Sequence, residues 1–102
     1  MNTVTISQGR RFSLDAVQKS ELVDTDDLQV QLLCFEAGQG DRDDRFDKTC
    51  IYQVLEGEAL FKQGDVSKRL GKGRLLIVPG GLEHAIENAG GGLLVVMATR
   101  AR

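Results

Sequence analysis

The sequence is poor in the side chains that usually build reactive sites. Its 102 residues include no tryptophan and only one histidine, one tyrosine and one proline: His84, Tyr52 and Pro79. Cysteine occurs twice, as Cys34 and Cys50, without the CxxC spacing typical of zinc sites. A metal centre built from several histidines is therefore excluded, and so is a zinc site of the paired-cysteine type.

Long apolar runs are also absent. No stretch approaches the roughly 18–20 apolar residues that a transmembrane helix requires. Residues 1–11 lack the basic start, the apolar middle and the cleavage site of a signal peptide. We therefore expect a cytoplasmic protein with no membrane partner, whose two cysteines are buried thiols and not a disulfide. The net charge of -2 gives no general attraction to nucleic acid, so we expect no nucleic-acid partner.

What the sequence does contain is a series of short strand patterns. The 12 glycines fall mostly between these patterns, where they supply the positive φ that turns need. Strands spaced by roughly 8–12 residues predict an antiparallel sandwich or barrel and argue against a βαβ fold. Hydrophobic residues make up 41% and charged residues 27%, which suits one globular domain over residues 1–102. The predicted strands lie in residues 28–38, 48–57, 58–65, 66–70, 74–78, 82–88 and 93–99.

Other segments give weaker signals. Residues 3–6 could form an edge strand, and residues 13–23 either a short helical turn or a poorly paired segment. Because residues 24–27 are acidic and residues 40–47 alternate in charge, we expect a solvated turn and a solvated loop there. Residues 1–27 are thus predicted to form a short irregular N-terminal segment.

Two stretches resemble the sequence motifs of the cupin superfamily. Residues 73–88 match the second motif at every defined position, and residues 38–57 match the two glycines of the first motif at the right separation. The resemblance implies an all-β, antiparallel cupin fold, which is a double-stranded β-helix or jelly-roll barrel. The matching residues are Gly38 and Gly57 in the first motif, and Gly73, Pro79, Gly81, His84 and Asn88 in the second.

The resemblance ends at the metal ligands. In metal-binding cupins the first motif supplies two histidines and a glutamate, and the second motif supplies a third histidine. Here the first-motif ligand positions hold Asp44, Phe46 and Cys50, and His84 alone matches the family pattern. A phenylalanine ring cannot bind a metal, so we expect no metal cofactor. The alternative is a divalent metal held by Asp44, Cys50 and His84, since carboxylate, thiolate and imidazole are all competent ligands.

Strand alternation places several of these side chains inside the barrel. His84 alternates with Glu83 and Glu87, which belong in water, so the histidine should point inward. Cys50 and Tyr52 share one strand face by the same rule. We therefore expect a ligand pocket lined by Asp44, Phe46, Cys50, Tyr52 and His84, with His84 as the candidate catalytic residue if there is one. Met97 is a further possible lining residue, because residues 93–98 show no clear alternation.

Three functions remain open on the sequence alone. The first is a metal-free barrel that binds an unknown small molecule. The second is an enzyme of the isomerase, dioxygenase or decarboxylase type that depends on His84 or on a variant Asp/Cys/His metal site. The third is a structural or regulatory protein whose barrel is filled by its own side chains.

A partner subunit is also predicted. Residues 74–78 and 93–98 are apolar on both strand faces. Strands of that kind need a second covering layer, either the other sheet or another chain. We therefore expect a homodimer.

Overall fold

The computed structural model describes all 102 residues except the side chain of Asp43. Nine strands follow a short 3-10 helix at Ile6–Gly9. No helix in this described chain is long and apolar enough to cross a membrane. The strands are β1 (Gln18–Asp24), β2 (Leu28–Phe35), β3 (Gly40–Asp44), β4 (Cys50–Glu56), β5 (Glu58–Gln63), β6 (Val66–Gly71), β7 (Leu75–Val78), β8 (His84–Asn88) and β9 (Leu94–Ala101).

The strands form two antiparallel sheets that face each other. One has the order β1-β2-β9-β4-β7 and the other the order β3-β8-β5-β6. The first and second motifs meet where β3 pairs with β8, and Asp44 lies opposite His84 in that register. This arrangement confirms the all-β, antiparallel architecture that the turn spacing predicted.

Three local predictions were wrong. Residues 3–6 form no strand, while β1 pairs with β2 and β3 pairs with β8. Both misjudged strands lie at the edge of a sheet, where pairing on one side suffices and many side chains remain in water. Their sequences therefore lack the apolar alternation of a half-buried strand.

The barrel core lies between the two sheets. Its largest fully buried side chains belong to both sheets, so the core joins them. Most of them are aliphatic or aromatic, and a single imidazole from β8 lies among them. The members with the largest volume are Phe35, Tyr52, Val54, Leu70, Ile86, Leu94 and Val96.

A second apolar cluster covers the outer face of the five-stranded sheet. Leu32, Cys34 and Val95 are buried there beneath Phe12 and Leu22 of the N-terminal part of the chain. The strand β2 is consequently buried on both faces at its end, and is not half-buried as predicted. The covering layer that the apolar 93–98 run required is thus supplied by the chain itself.

One apolar face of the same sheet stays exposed. Ile51 on β4 lies opposite Ile77 on the edge strand β7, and Leu75 projects from the same face. These three side chains are 37%, 66% and 57% exposed, respectively. Such adjacent apolar groups in water are typical of a surface that binds another molecule.

The turn at Gly57 depends on the absence of a side chain. Its φ is +81°, and an added Cβ would lie 2.2 Å from the carbonyl oxygen of Leu93. Gly73 has a similar φ of +85°, but an added Cβ there would meet no atom within 4 Å. Substitutions at these two glycines therefore distinguish the cost of backbone strain alone, at Gly73, from the cost of strain together with a steric clash, at Gly57.

We predict that Gly57→Ala destabilises the fold more than Gly73→Ala. Gly73→Ala should cost about 1–2 kcal/mol of unfolding free energy, because an L-residue is strained at positive φ. Gly57→Ala adds a clash with backbone, which should cost about 1–3 kcal/mol more. Urea denaturation followed by circular dichroism measures both values, and equal losses would contradict the close approach of Gly57 to Leu93.

Candidate functional site

The strand β8 begins at His84, directly after the tight turn that carries Pro79 and Gly81. Gly81 adopts a φ of +81°, and its backbone N–H donates to the carbonyl oxygen of Phe46 at 2.7 Å. This bond fixes the turn against the segment that follows β3. The imidazole of His84 is therefore directed into the barrel and is buried, as the alternation with Glu83 and Glu87 predicted.

Both ring nitrogens of His84 are bonded to the chain. Nδ1 lies 2.9 Å from the carbonyl oxygen of Leu82, and Nε2 lies 2.7 Å from the hydroxyl of Tyr52. A carbonyl oxygen can only accept, so Nδ1 carries the proton of the neutral ring. The lone pair of Nε2 then accepts the hydroxyl proton of Tyr52. The histidine thus has no unbonded nitrogen.

Cys50 adjoins this pair. It lies two residues from Tyr52 on the inner face of β4, and the two side chains influence each other's pKa. Burial raises the pKa of the Tyr52 hydroxyl far above its usual range, and the groups of Cys50 and Asp44 raise it further. The tyrosine therefore remains a proton donor under ordinary conditions.

Cys50 is a protonated thiol. Burial raises its pKa to about 11, against smaller lowering effects of the neighbouring Tyr52 hydroxyl and the Arg100 charge. Burial also raises the pKa of Cys34. Since the thiolate is both the nucleophile and the metal ligand, neither cysteine is poised to react. Both are free thiols, as predicted.

Phe46 covers His84 on the side facing the end of the barrel. Its ring contacts the imidazole edge-on, with centroids 5.8 Å apart. The guanidinium of Arg100 lies 4.4 Å from the centroid of the same ring, a cation–π contact. The phenylalanine ring therefore contacts both the buried imidazole and a charged side chain.

The structure brings the five predicted pocket residues together. Asp44, Phe46 and Tyr52 all lie around His84, and Cys50 adjoins Tyr52. Their role as a ligand pocket remains a prediction.

Met97 does not join this group. It lies on the outer face of the five-stranded sheet, with Leu32 and Val95, so its proposed place in the pocket was wrong.

Asn88 explains the last position of the second motif. Its side-chain amide donates to the carbonyl oxygens of Glu36 at 3.1 Å and Gly92 at 2.8 Å. Its side-chain oxygen accepts from the backbone N–H of Gly90 at 3.1 Å. Asn88 thus connects two loops by hydrogen bonds at the end of the barrel opposite to His84. Its role is structural, and it does not belong to the site.

The residues present do not fit the metal that cupins often hold. Among the described side chains there is no group of three or more His, Cys, Asp or Glu residues placed to bind an ion. The Nε2 atom of His84 accepts from Tyr52, and the Cys50 thiol retains its proton. A metal would have to displace the Tyr52 hydroxyl and ionise a buried thiol, and Phe46 would still occupy one ligand position.

A small pocket opens beside His84 on the side away from Phe46. It has a volume of about 200 Å³ and lies between β5, β6, β7 and the turn before β8. Phe61, Leu76, Val78 and Leu82 form apolar walls next to the imidazole, and two lysines lie at the rim. Of the five side chains that the sequence analysis placed in a ligand pocket, only His84 lines this one.

No family model and no curated protein matches the sequence. Solved structures do match. A Thermus thermophilus protein aligns with a TM-score of 0.90 and 19% identity over 99% of this chain and 97% of its own. A cupin superfamily protein of Desulfitobacterium hafniense aligns at 0.84 and 23% identity, over 94% and 86% of the two chains. An RmlC-like cupin protein of Desulfovibrio desulfuricans aligns at 0.87 and 21% identity, over 99% and 96%.

The chain has the cupin fold. The high TM-scores establish the architecture that the two motifs implied. Identities this low transfer no activity to the chain, because one fold hosts many functions.

The raised pKa of Cys50 predicts a loss of stability at alkaline pH. The folded protein keeps this proton up to about pH 11, while the thiol ordinarily ionises near 9. The unfolded chain therefore ionises first, and the stabilisation, complete below pH 9, is lost as the pH rises towards 11. The unfolding free energy should fall in this window by up to about 1.4 kcal/mol per pH unit from this group.

Denaturation at a series of pH values measures this effect. The variant Cys50→Ala should show a shallower fall, whatever its stability at pH 7. Cys34→Ala is the comparison variant: because burial raises the pKa of Cys34 as well, its fall should also become shallower, but by less than that of Cys50→Ala. A Cys50→Ala profile parallel to that of the native sequence between pH 9 and 11 would contradict the assignment.

Proposed function

We propose that this cupin-fold protein binds a small molecule without a catalytic metal. The proposal rests on the apolar pocket beside His84. The walls of this pocket adjoin an imidazole ring whose two nitrogens are already hydrogen-bonded within the protein. Pockets of this kind, apolar with a few polar groups, are the usual form of a small-molecule site. The pocket's volume of about 200 Å³ suits a compact ligand.

The lining defines the chemistry of that ligand. Phe61, Leu76 and Leu82 offer apolar surface, and His84 contributes ring surface and no free hydrogen-bonding nitrogen. Lys62 at the rim is paired with Glu87 at 3.0 Å, and Lys68 is exposed to water. We therefore propose a neutral, largely apolar ligand, of which a small aromatic ring is the simplest example.

The geometry supports the enzyme alternative less well. A general base needs a lone pair within reach of the substrate proton, and the lone pair of Nε2 accepts the hydroxyl proton of Tyr52. A barrel with no space beside the imidazole would favour a purely structural role. The pocket provides space beside His84, so it supports the structural role less well.

Val66→Trp tests the pocket directly. Val66 lines the pocket but is 67% exposed, so a larger side chain there can fill the space without disturbing the core. We expect indole to shift the NMR signals of the Leu76, Val78 and Leu82 methyl groups in the native protein. Val66→Trp should weaken this binding at least tenfold.

Leu14→Trp is the matched control, because Leu14 is 85% exposed and lies outside the pocket. It should bind indole like the native protein. If indole, phenol and benzene at millimolar concentration all leave the pocket methyl signals unchanged, the proposal is overturned.

We also propose that the protein is a cytoplasmic homodimer. The exposed apolar face of Ile51, Leu75 and Ile77 lies on two adjacent strands that end at the free edge of β7. A second copy could cover this face and pair with the edge, as often happens with exposed strands. Two free buried thiols support a reducing compartment.

Leu75→Lys should convert such a dimer into a monomer. A charge placed in a buried apolar contact is costly unless it is paired. Light scattering at micromolar concentration should give twice the 11.2 kDa chain mass for the native protein and for Leu14→Lys, but the chain mass for Leu75→Lys. A native protein that is monomeric under these conditions excludes the dimer.

A further inference from the structure

The opening of the pocket beside His84 lies at two free strand edges. In the described sheets, β6 is the last strand of the four-stranded sheet and β7 is the last strand of the five-stranded sheet. Both strands line the pocket. The large apolar lining residues that stay exposed are Val66 on β6 and Ile77 on β7, at 67% and 66%. Water therefore reaches the pocket between these two strands.

Ile77 belongs both to this opening and to the exposed apolar face of the five-stranded sheet. It forms that face with Ile51 and Leu75, and it also lines the pocket. The apolar face and the pocket opening are thus one continuous surface. A molecule that covers the face covers the opening as well.

The backbone of β7 presents hydrogen-bonding groups at this edge. The N–H of Val54 on β4 donates to the carbonyl oxygen of Arg74 at 3.1 Å. Because the backbone groups of an antiparallel strand point alternately to its two sides, Leu76 then bonds to β4, and its neighbours Leu75 and Ile77 point to the free side. No second strand pairs with β7 in the described sheets. The N–H and C=O groups of these two residues are therefore open to a partner strand.

We propose that β7 of a second copy pairs antiparallel with this edge around Leu76, and that the partner's Leu76 completes the wall of the pocket. This inference rests on the proposed dimer and on the proposed ligand pocket. In this register Leu75 lies opposite the partner's Ile77, and each such pair exchanges both of its backbone hydrogen bonds. Both side chains are apolar, so the edge matches itself in hydrogen bonding and in side-chain chemistry, as a two-fold interface requires.

The same register decides which side chains meet at the opening. Leu76 lines the pocket, on the opposite face of β7 from Leu75. At the two-fold axis the Cα atoms of Leu76 and the partner's Leu76 lie about 4.5 Å apart, the spacing of a pair without mutual hydrogen bonds. The partner's side chain then lies at the opening between β6 and β7. Each subunit thus supplies part of the other subunit's site.

Ligand binding and dimerisation are consequently linked. A ligand in the pocket contacts the partner's Leu76 only in the dimer, so ligand and partner strengthen each other's binding by the same factor. Leu75 lies outside the pocket lining, and Leu75→Lys acts on the ligand only by removing the partner. This variant should bind indole at least fivefold more weakly than the native protein. Leu14→Lys, the matched control, should bind it like the native protein.

Disulfide trapping tests the register. Under mild oxidation Leu76→Cys should give a covalent dimer on a non-reducing gel, because Cα atoms closer than about 7 Å can be bridged. Leu75→Cys and Ile77→Cys alter exposed side chains, so the fold is preserved. Mixed together they should cross-link, whereas each alone should not, because the two equivalent Cα atoms are roughly 9 Å apart. The two native cysteines are buried, which keeps the background low.

The outcomes separate this inference from the proposals beneath it. A native protein that is monomeric in light scattering leaves the face to another occupant, and it overturns the dimer and this inference together. A native dimer that binds indole but forms no disulfide at position 76 or in the mixture overturns the register alone. A monomeric Leu75→Lys variant that binds indole as tightly as the native dimer overturns the shared site and leaves the pocket and the dimer standing.

Discussion

The site is organised around the two hydrogen bonds of His84. The carbonyl oxygen of Leu82 fixes the proton on Nδ1, and the hydroxyl of Tyr52 then occupies Nε2. A buried polar group left without a partner costs about 1–3 kcal/mol, so this pairing is what allows an imidazole to lie in an apolar core. It also connects the two sheets, because Tyr52 belongs to β4 and His84 to β8. The atom that could have bound a metal is thereby used to hold the barrel together.

Phe46 divides the surroundings of this pair into two compartments. The ring contacts His84 on one face of the site and Arg100 on the other. The pocket beside His84 has apolar walls, and the surface next to Phe46 carries charged side chains of both signs. Because the backbone of Phe46 also accepts from Gly81, the ring and the turn before β8 are fixed together.

Local patterns in the sequence predicted the central strands and the position of His84, since glycine turns and alternation act over a few residues. They did not predict β3, because the charged side chains of an edge strand resemble those of a loop. They also missed the bond between Tyr52 and His84, which are 32 residues apart and meet only when the sheets pack. Arg100 could have been found by extending the alternation of Leu94 and Val96 along β9. Phe12 packs against the cluster that contains Val95, and no local sequence pattern predicts this contact because the two residues are far apart in the chain.

The most direct measurement is nitrogen-15 NMR of the His84 ring, which is the only histidine in the chain. The neutral ring should carry its proton on Nδ1, with Nε2 showing the shift of a lone pair that accepts a hydrogen bond. Adding one equivalent of Zn²⁺ should leave both signals unchanged, because Tyr52 occupies Nε2. A proton on Nε2 of the neutral ring, or a stoichiometric change of the Nε2 signal with zinc, would contradict the account.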